Sequence, residues 1–156
     1  LLVEVQALVT PAVFGAARRT AIGVDHNRVC LIAAVLEKRI GLNLSSQDIY
    51  VKVTGGLDAV EPAADLAVAA AIVSSSRDRA LPADTVMIGE VGLGGEVRAA
   101  GRSDLRISEA VRLGFRSIVL PAGDLASTED ARELEGQGVV LNPVRTVSDA
   151  LGAAGI

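Results

Sequence analysis

The segment from Glu61 to Asp65 has the composition of a chemical site at the start of a helix. Pro62 suits the first helical position because its missing N–H would be unpaired there anyway. The first turn also offers free backbone N–H groups and a field that favours negative charge. Glu61 and Asp65 could form a carboxylate pair for hydrolysis, although complementarity to the helix dipole explains both more simply. Because Ala63 and Ala64 carry no nucleophile, the sequence predicts a well-formed site that lacks a reactive group.

Other residue types with catalytic potential occur singly or in structural settings. His26 could act as a general base, but the sequence places no partner nucleophile beside it, and Asp25 and Asn27 favour a helix-capping turn. One cysteine, Cys30, excludes an internal disulfide and a Cys-rich metal site, and one histidine excludes His-clustered zinc chemistry. The serines at 74–76 stand at a predicted helix end, outside any Gly-x-Ser-x-Gly motif.

Basic residues offer a different chemistry, the binding of phosphate. Arg18, Arg19 and Arg28 are close in sequence and predict a DNA-binding edge, with a solvated or subunit-facing role as the alternative. Lys38 and Arg39 close a predicted helix, where cations complement the dipole, and are interpreted as structural. The chain has 19 acidic and 15 basic residues and a net charge of −4, so any DNA contact must be local.

The length of 156 residues indicates one globular domain with an ordinary core. Half of the residues are hydrophobic but only Phe14, Tyr50 and Phe115 are aromatic, so Val, Ile, Leu and Ala must build the core. No apolar run approaches the ~18 residues of a membrane span, and no signal peptide is visible, which predicts a cytoplasmic protein. Since the first residue is not Met, we expect a piece of a longer protein.

Periodicity and turn residues predict a mixture of strands and helices, hence an α+β or mixed α/β class. Asp25 or Asn27 is expected to cap the first helix, which ends at Gly41, and Ser103 the third. The first two strands are expected to pair, and the glycine-rich stretch from 89 to 98 is expected to form a hairpin rather than a phosphate loop. The predicted strands are 3–11, 18–25, 47–55, 85–93, 95–100, 116–121 and 139–144; the predicted helices are 28–40, 61–75, 103–114, 127–136 and 146–155, the last capped by Thr146 or Ser148.

Three long segments carry a family resemblance. "FGAARRTAIGVDHNR", "VTGGLDAVEPAADLAVA" and "GEVGLGGEVR" with "RISEAVRLGF" together resemble the C-terminal domain of the bacterial RadA/Sms DNA-repair proteins. That domain is similar to the proteolytic domain of Lon proteases, of the ribosomal protein S5 domain 2-like class. The resemblance implies a single Lon-protease-like domain over residues 1–156. It places a zinc finger and a RecA-like ATPase, with Zn²⁺, ATP and Mg²⁺, in parts of the protein that this chain lacks.

The same resemblance explains the site without a reactive group. Lon-type peptidases carry their catalytic serine where this chain has Ala63, and a glycine where it has Asp65. An ungapped match places Asp104 at the position of their catalytic lysine. Since a carboxylate cannot replace the neutral amine base of a Ser-Lys dyad, the resemblance implies a domain without peptidase activity, metal or cofactor.

The resemblance also implies a function. It indicates a scaffold or DNA-binding domain of a RadA-type protein that migrates DNA branches with ATP, forms a hexameric ring, binds single-stranded or branched DNA and has a possible recombinase partner. One alternative is a purely structural hexamer-forming module that does not contact DNA. The other is an unconventional peptidase that uses Ser103 or the pair Glu61 and Asp65.

Overall fold

The computed structural model describes residues 1–125 and 128–156. Its first sheet has three strands, β1 (Val5–Pro11), β2 (Arg19–Ile22) and β3 (Gln47–Val53), in the order β1-β3-β2. β3 pairs antiparallel with β1 and parallel with β2. The prediction that β1 and β2 pair was wrong, because β3 lies between them. A helix connects β2 to β3, and such a crossover is what parallel neighbours require.

That crossover helix is α1 (His26–Val35), which continues as a π-helical turn over Leu36–Ile40. The Asp25 carboxylate accepts a hydrogen bond of 3.0 Å from the backbone N–H of Arg28, and Gly41 ends the turn at φ 81°. Both predicted boundary signals are confirmed.

A central helix, α2 (Asp65–Arg77), follows a 3₁₀ turn over Pro62–Ala64. Its alanine-rich sequence has high helix propensity and small side chains. Residues 68–73 are buried on all sides, so α2 passes through the interior and packs against β1.

The second sheet is parallel, with β4 (Thr85–Met87), β7 (Ser117–Pro121) and β8 (Val140–Val144) in the order β4-β7-β8. The hairpin of β5 (Glu90–Val91) and β6 (Val97–Arg98) is separate from it. The strand predicted over 85–93 is therefore two strands. It divides at Gly89, whose N–H donates to Ala63 O and whose carbonyl accepts from Leu66 N, each at 3.0 Å, so this backbone binds the start of α2.

Three further helices cover the second half of the chain, α3 (Ser103–Arg112), α4 (Thr128–Gly136) and α5 (Val147–Ala153). Ser103 does not cap α3 as predicted, because it is the first helical residue and is buried; Arg102 holds the cap position at φ 56°. Thr146 caps α5 by accepting a 3.1 Å hydrogen bond from Asp149 N. The predicted start of α4 at residue 127 lies outside the described residues. The α+β class is confirmed.

Two apolar clusters form the core. The larger joins α1, α2 and the first sheet, including Val29, Leu66 and Ile49, and the smaller joins α3 to the second sheet through Ile107 and Ile118. None of the helices in the described residues is long and apolar enough to cross a membrane. The start of α2 lies where both clusters meet, since Leu66 belongs to one and Ala63 to the other.

Candidate functional site

A groove of about 860 Å³ lies over the start of α2. Small side chains on one face of α2 form its floor, strand β4 and the segment 1–5 form its walls, and α3 closes one end. The lining includes Ala63 and Ala64 of the 3₁₀ turn, Ala67 and Ala71 of α2, residues 85–88 in and just after β4, and Arg102, Leu105, Arg106 and Glu109 at α3.

The predicted nucleophile position, Ala63, is 7% exposed and lines this groove. Asp104 does not line it, because Asp104 is exposed on another face of α3. Arg106 occupies the groove instead. Residues 102, 106 and 109 share a helix face at spacings of three and four, and this periodicity is the signal that could have identified Arg106 from the sequence.

Arg106 joins the groove to the loop that precedes α2. Its guanidinium donates to Glu61 Oε2 at 2.5 Å and to Gly101 O at 3.0 Å. The hydrogen bond from Arg106 and its charge hold the pKa of Glu61 below the ordinary 4.5, with a smaller contribution from Arg102. Glu61 therefore stays ionised near neutrality and is unsuited to act as a general acid.

Arg28 and Asp65 form a second ion pair beneath the groove. Arg28 Nε donates to Asp65 Oδ1 at 3.0 Å, and its two terminal nitrogens donate to Ala59 O at 2.9 Å and Glu61 O at 3.0 Å. The other oxygen of Asp65 accepts from Val91 N at 3.3 Å. Arg28 was predicted to bind DNA, but its guanidinium instead ties α1, the loop before α2 and α2 together.

The other two predicted DNA-binding arginines differ from each other. Arg19 donates to Gln47 O at 2.5 Å and to Leu44 O at 2.9 Å, so it supports the loop before β3. Arg18 is exposed, and within the described part of the chain no acceptor binds its guanidinium. Of the three arginines predicted to form the DNA-binding edge, Arg18 is thus the one whose guanidinium is free, within the described residues, to bind a phosphate.

Three exposed arginines lie at the β5–β6 hairpin and, with Lys38 next to Arg39 in the sequence, form what we call the hairpin cluster. The stem of Arg39 packs over Gly95, and Val97 N donates to Arg145 O at 2.8 Å, which brings the two arginines to the same hairpin. Across residues 1–125 and 128–156 these four side chains form no ion pair or hydrogen bond with the protein. The members are Lys38, Arg39, Arg98 and Arg145.

Sequence reasoning missed this cluster because its members are up to 107 positions apart in a 156-residue chain. Lys38 and Arg39 were interpreted only through the helix dipole, and Arg98 and Arg145 carried no local signal. Acidic groups are also near, since Glu90 is the register partner of Arg98. The Glu96 carboxylate lies over Gly92 and Gly94 of the same hairpin, so the cluster is a group of four cations with two acids beside it.

The other residues that the sequence offered as catalytic candidates, a cysteine, a histidine and the helix-end serines, contact neighbouring protein groups. Cys30 Sγ lies 3.8 Å from both ring nitrogens of His26, one helical turn away, and His26 Nε2 lies 3.0 Å from Arg19 O. Ser74 and Ser75 bind backbone groups: the Ser74 hydroxyl donates to a carbonyl, and Ser75 Oγ accepts from a strand N–H. Among the described residues no group of three or more His, Cys, Asp or Glu could hold a metal ion.

Residues 31–154 match the family of the Lon protease (S16) C-terminal proteolytic domain. The chain belongs to this family. The Lon-type domain is also similar to three proteins named DNA repair protein RadA. The sequence identity to the protein of Bacillus subtilis (strain 168) is 47%, over 97% of this chain. It is 50% to the protein of Streptococcus pneumoniae R6, over 89% of this chain, and 43% to the protein of Synechocystis sp. PCC 6803, over 99% of this chain. These matches cover 33%, 33% and 29% of the relatives, so the chain spans about a third of their length.

The groove of this Lon-type domain lacks the groups of a Ser-Lys peptidase among its described lining residues. It contains no serine, cysteine or lysine, and its one hydroxyl group belongs to Thr85. Arg106 cannot act as a base, because a guanidinium keeps its proton in proteins. Ser103 is buried and does not line the groove, and Glu61 and Asp65 each bind a different arginine.

Proposed function

We propose that this chain is a non-proteolytic Lon-type domain of a RadA-type DNA repair protein, in which it acts as a scaffold and binds single-stranded or branched DNA. The observation that carries the proposal is the groove, whose described lining offers neither a serine or cysteine nucleophile nor a lysine. The names of the similar proteins support the repair role. A Lon-type scaffold without reactive groups can still bind DNA and contact other subunits.

The DNA contact is proposed for the hairpin cluster and Arg18. Phosphates are bound by clustered cations that have no protein acceptor, and these side chains fit that description within the described residues. Arg19 and Arg28 are left out because protein carbonyls and Asp65 occupy their guanidinium groups. Since the chain is acidic overall, binding should weaken steeply with salt.

The wider setting is proposed from the resemblance. In the longer protein an ATPase domain with ATP and Mg²⁺ would drive branch migration, a zinc finger would hold Zn²⁺, and six copies would form a ring. A recombinase would be a partner, and the protein would be cytoplasmic. The Lon-type domain would contribute the rigid part of the ring and one DNA-contacting surface.

The test is fluorescence anisotropy of labelled single-stranded and branched oligonucleotides, titrated with the 156-residue chain across a range of salt. Replacing Arg39, Arg98 and Arg145 together with alanine should weaken binding by about tenfold or more at low salt. It should also flatten the slope of log K against log salt, by about 0.9 per lost contact with duplex phosphates.

The matched control replaces Arg77, Arg79 and Arg132 with alanine; these arginines are exposed and, among the described residues, likewise have no acceptor. This variant has the same change in net charge but places it at the end of α2, just after α2 and on α4, outside the hairpin. If both triple variants weaken DNA binding equally, only net charge matters, and the assignment of the hairpin cluster as the DNA contact would be wrong. No binding at low salt would favour the structural module that does not contact DNA.

A further inference from the structure

The loop that joins β1 to β2, residues 12–18, carries the most prominent apolar side chains outside the groove. Phe14 is 84% exposed and Val13 is 77% exposed, next to Gly15 at φ 70°. Phe14 is also one of only three aromatic residues in the chain. We call residues 12–18 the Phe14 loop. An exposed aromatic anchor on a projecting loop is typical of an interface residue.

The groove over α2 has the complementary shape and surface. Its alanine floor leaves depth for a large side chain, and Val60 at 77% and Leu105 at 61% exposed extend the apolar surface to its rim. Phe115 lies half-buried in its wall, where it could stack edge-to-face with an inserted ring.

Charge also matches between the loop and the groove. The sequence has no acidic residue from 5 to 24, and Arg18 at the base of the loop has an exposed guanidinium. The groove is lined by four carboxylates and two arginines; Glu61 is paired with Arg106, and Glu109 with Arg112. Among the described residues, Glu4 and Asp58 form no ion pair, and these two acids form the acidic rim. The four acids are Glu4, Asp58, Glu61 and Glu109.

The loop cannot reach its own groove. Segment 1–5 lines the groove, whereas the loop follows Pro11 at the far end of β1. Seven extended residues separate them by about 23 Å at about 3.3 Å per residue. The Phe14 loop (the knob) and the groove (the hole) thus lie at opposite ends of one molecule. A contact between the knob of one copy and the hole of another is head-to-tail, and such contacts generate rings or chains of copies.

We propose that the Phe14 loop of one copy inserts into the groove of the next copy, with Phe14 over the alanine floor and Arg18 facing the acidic rim. The groove that resembles a peptidase site is then the receptor for a neighbouring subunit. This proposal rests on the proposed scaffold role and names the partner of that role as a second copy of this chain.

Sedimentation velocity of the 156-residue chain without DNA, from micromolar to near-millimolar concentration, tests the contact. The weight-average mass should rise from 16.0 kDa past the mass of a dimer. Phe14→Ser removes the knob without changing charge, and Ala67→Phe fills the hole. Each should raise the concentration needed for association by roughly tenfold or more. Leu93→Ser, which alters a 69% exposed apolar residue on the hairpin turn, should change nothing.

Mixing the two variants gives the decisive result. Phe14→Ser retains its groove and Ala67→Phe retains its loop, so a mixture should form one-to-one dimers at a concentration at which each variant alone stays monomeric. A wild-type chain that stays monomeric or stops at a dimer, a mixture that stays monomeric, or equal loss in Leu93→Ser would overturn the proposal. The hairpin-cluster variant should still associate, which separates this contact from DNA binding. Circular dichroism confirms folding, and the exposed Phe14→Ser change keeps the test valid if Ala67→Phe does not fold.

Discussion

At the scale of single residues, Asp65 shows how an arginine distant in sequence binds a carboxylate at the start of α2. The family resemblance predicts that Ala63 and Asp65 depart from the peptidase pattern, but the sequence could not identify the partner of Asp65. Arg28 is 37 positions away, and only the packing of α1 against α2 brings it to Asp65. Arg28 resembled a phosphate ligand in the sequence because a buried ion pair has no local signal.

Asp65→Ala should lower the free energy of unfolding by about 3 kcal/mol, because it leaves the guanidinium of Arg28 half-buried without its anion. The side chains of Arg28 and Asp65 are 21% and 10% exposed, which places the cost at the low end for a buried pair. Urea unfolding measures it. Replacing Arg28 with Met in the same chain should restore part of the loss.

Asp104→Ala is the matched control for Asp65→Ala. Asp104 is also an acid in the first turn of a helix, but it is exposed, so its replacement should change stability by less than about 0.5 kcal/mol. Equal losses at Asp65 and Asp104 would mean that the helix dipole, rather than the ion pair, accounts for Asp65.

At the scale of elements, the helices and strands were largely predictable from periodicity and end signals, as Asp25, Gly41 and Thr146 show. Strand partners were less predictable. β1 and β2 are close in sequence but do not pair, because β3 lies between them, and the strand over 85–93 divides where Gly89 binds α2. Both differences arise from hydrogen bonds between distant segments, which local sequence does not encode.

The loop before α2 is joined to α3 by the ion pair of Glu61 with Arg106. Because the pKa of Glu61 is lowered in the folded chain, the pair stabilises the fold fully above about pH 4.5 and loses this effect as pH falls through the lowered pKa. Glu61→Gln should therefore cost about 0.5 kcal/mol near neutrality, as exposed pairs do, and nothing in strong acid. Urea unfolding at a series of pH values checks this, and a pH-independent difference would contradict it.

At the scale of the whole molecule, the groove and the hairpin cluster could not be predicted, since each collects residues from several elements. The groove is built from the chain start, α2, β4 and α3, and the cluster from the π-helical turn after α1, from β6 and from the residue that follows β8. The family resemblance located the groove only through Ala63. An acidic chain whose hairpin cluster binds DNA should bind weakly as a single copy. It should bind more tightly when copies assemble, because once one copy is bound, the DNA is held at a high effective concentration near the clusters of the other copies.

This coupling predicts a dependence on DNA length. An oligonucleotide that spans several copies should bind the wild-type chain about tenfold or more tighter than one that covers a single copy. Phe14→Ser should remove most of that advantage while leaving the short oligonucleotide unaffected, because Phe14 acts through assembly. Anisotropy titrations with both lengths, at fixed salt and with Leu93→Ser as control, measure the effect. If Phe14→Ser weakens both lengths equally, Phe14 contacts DNA itself, and the loop belongs to the DNA surface rather than to the contact between copies.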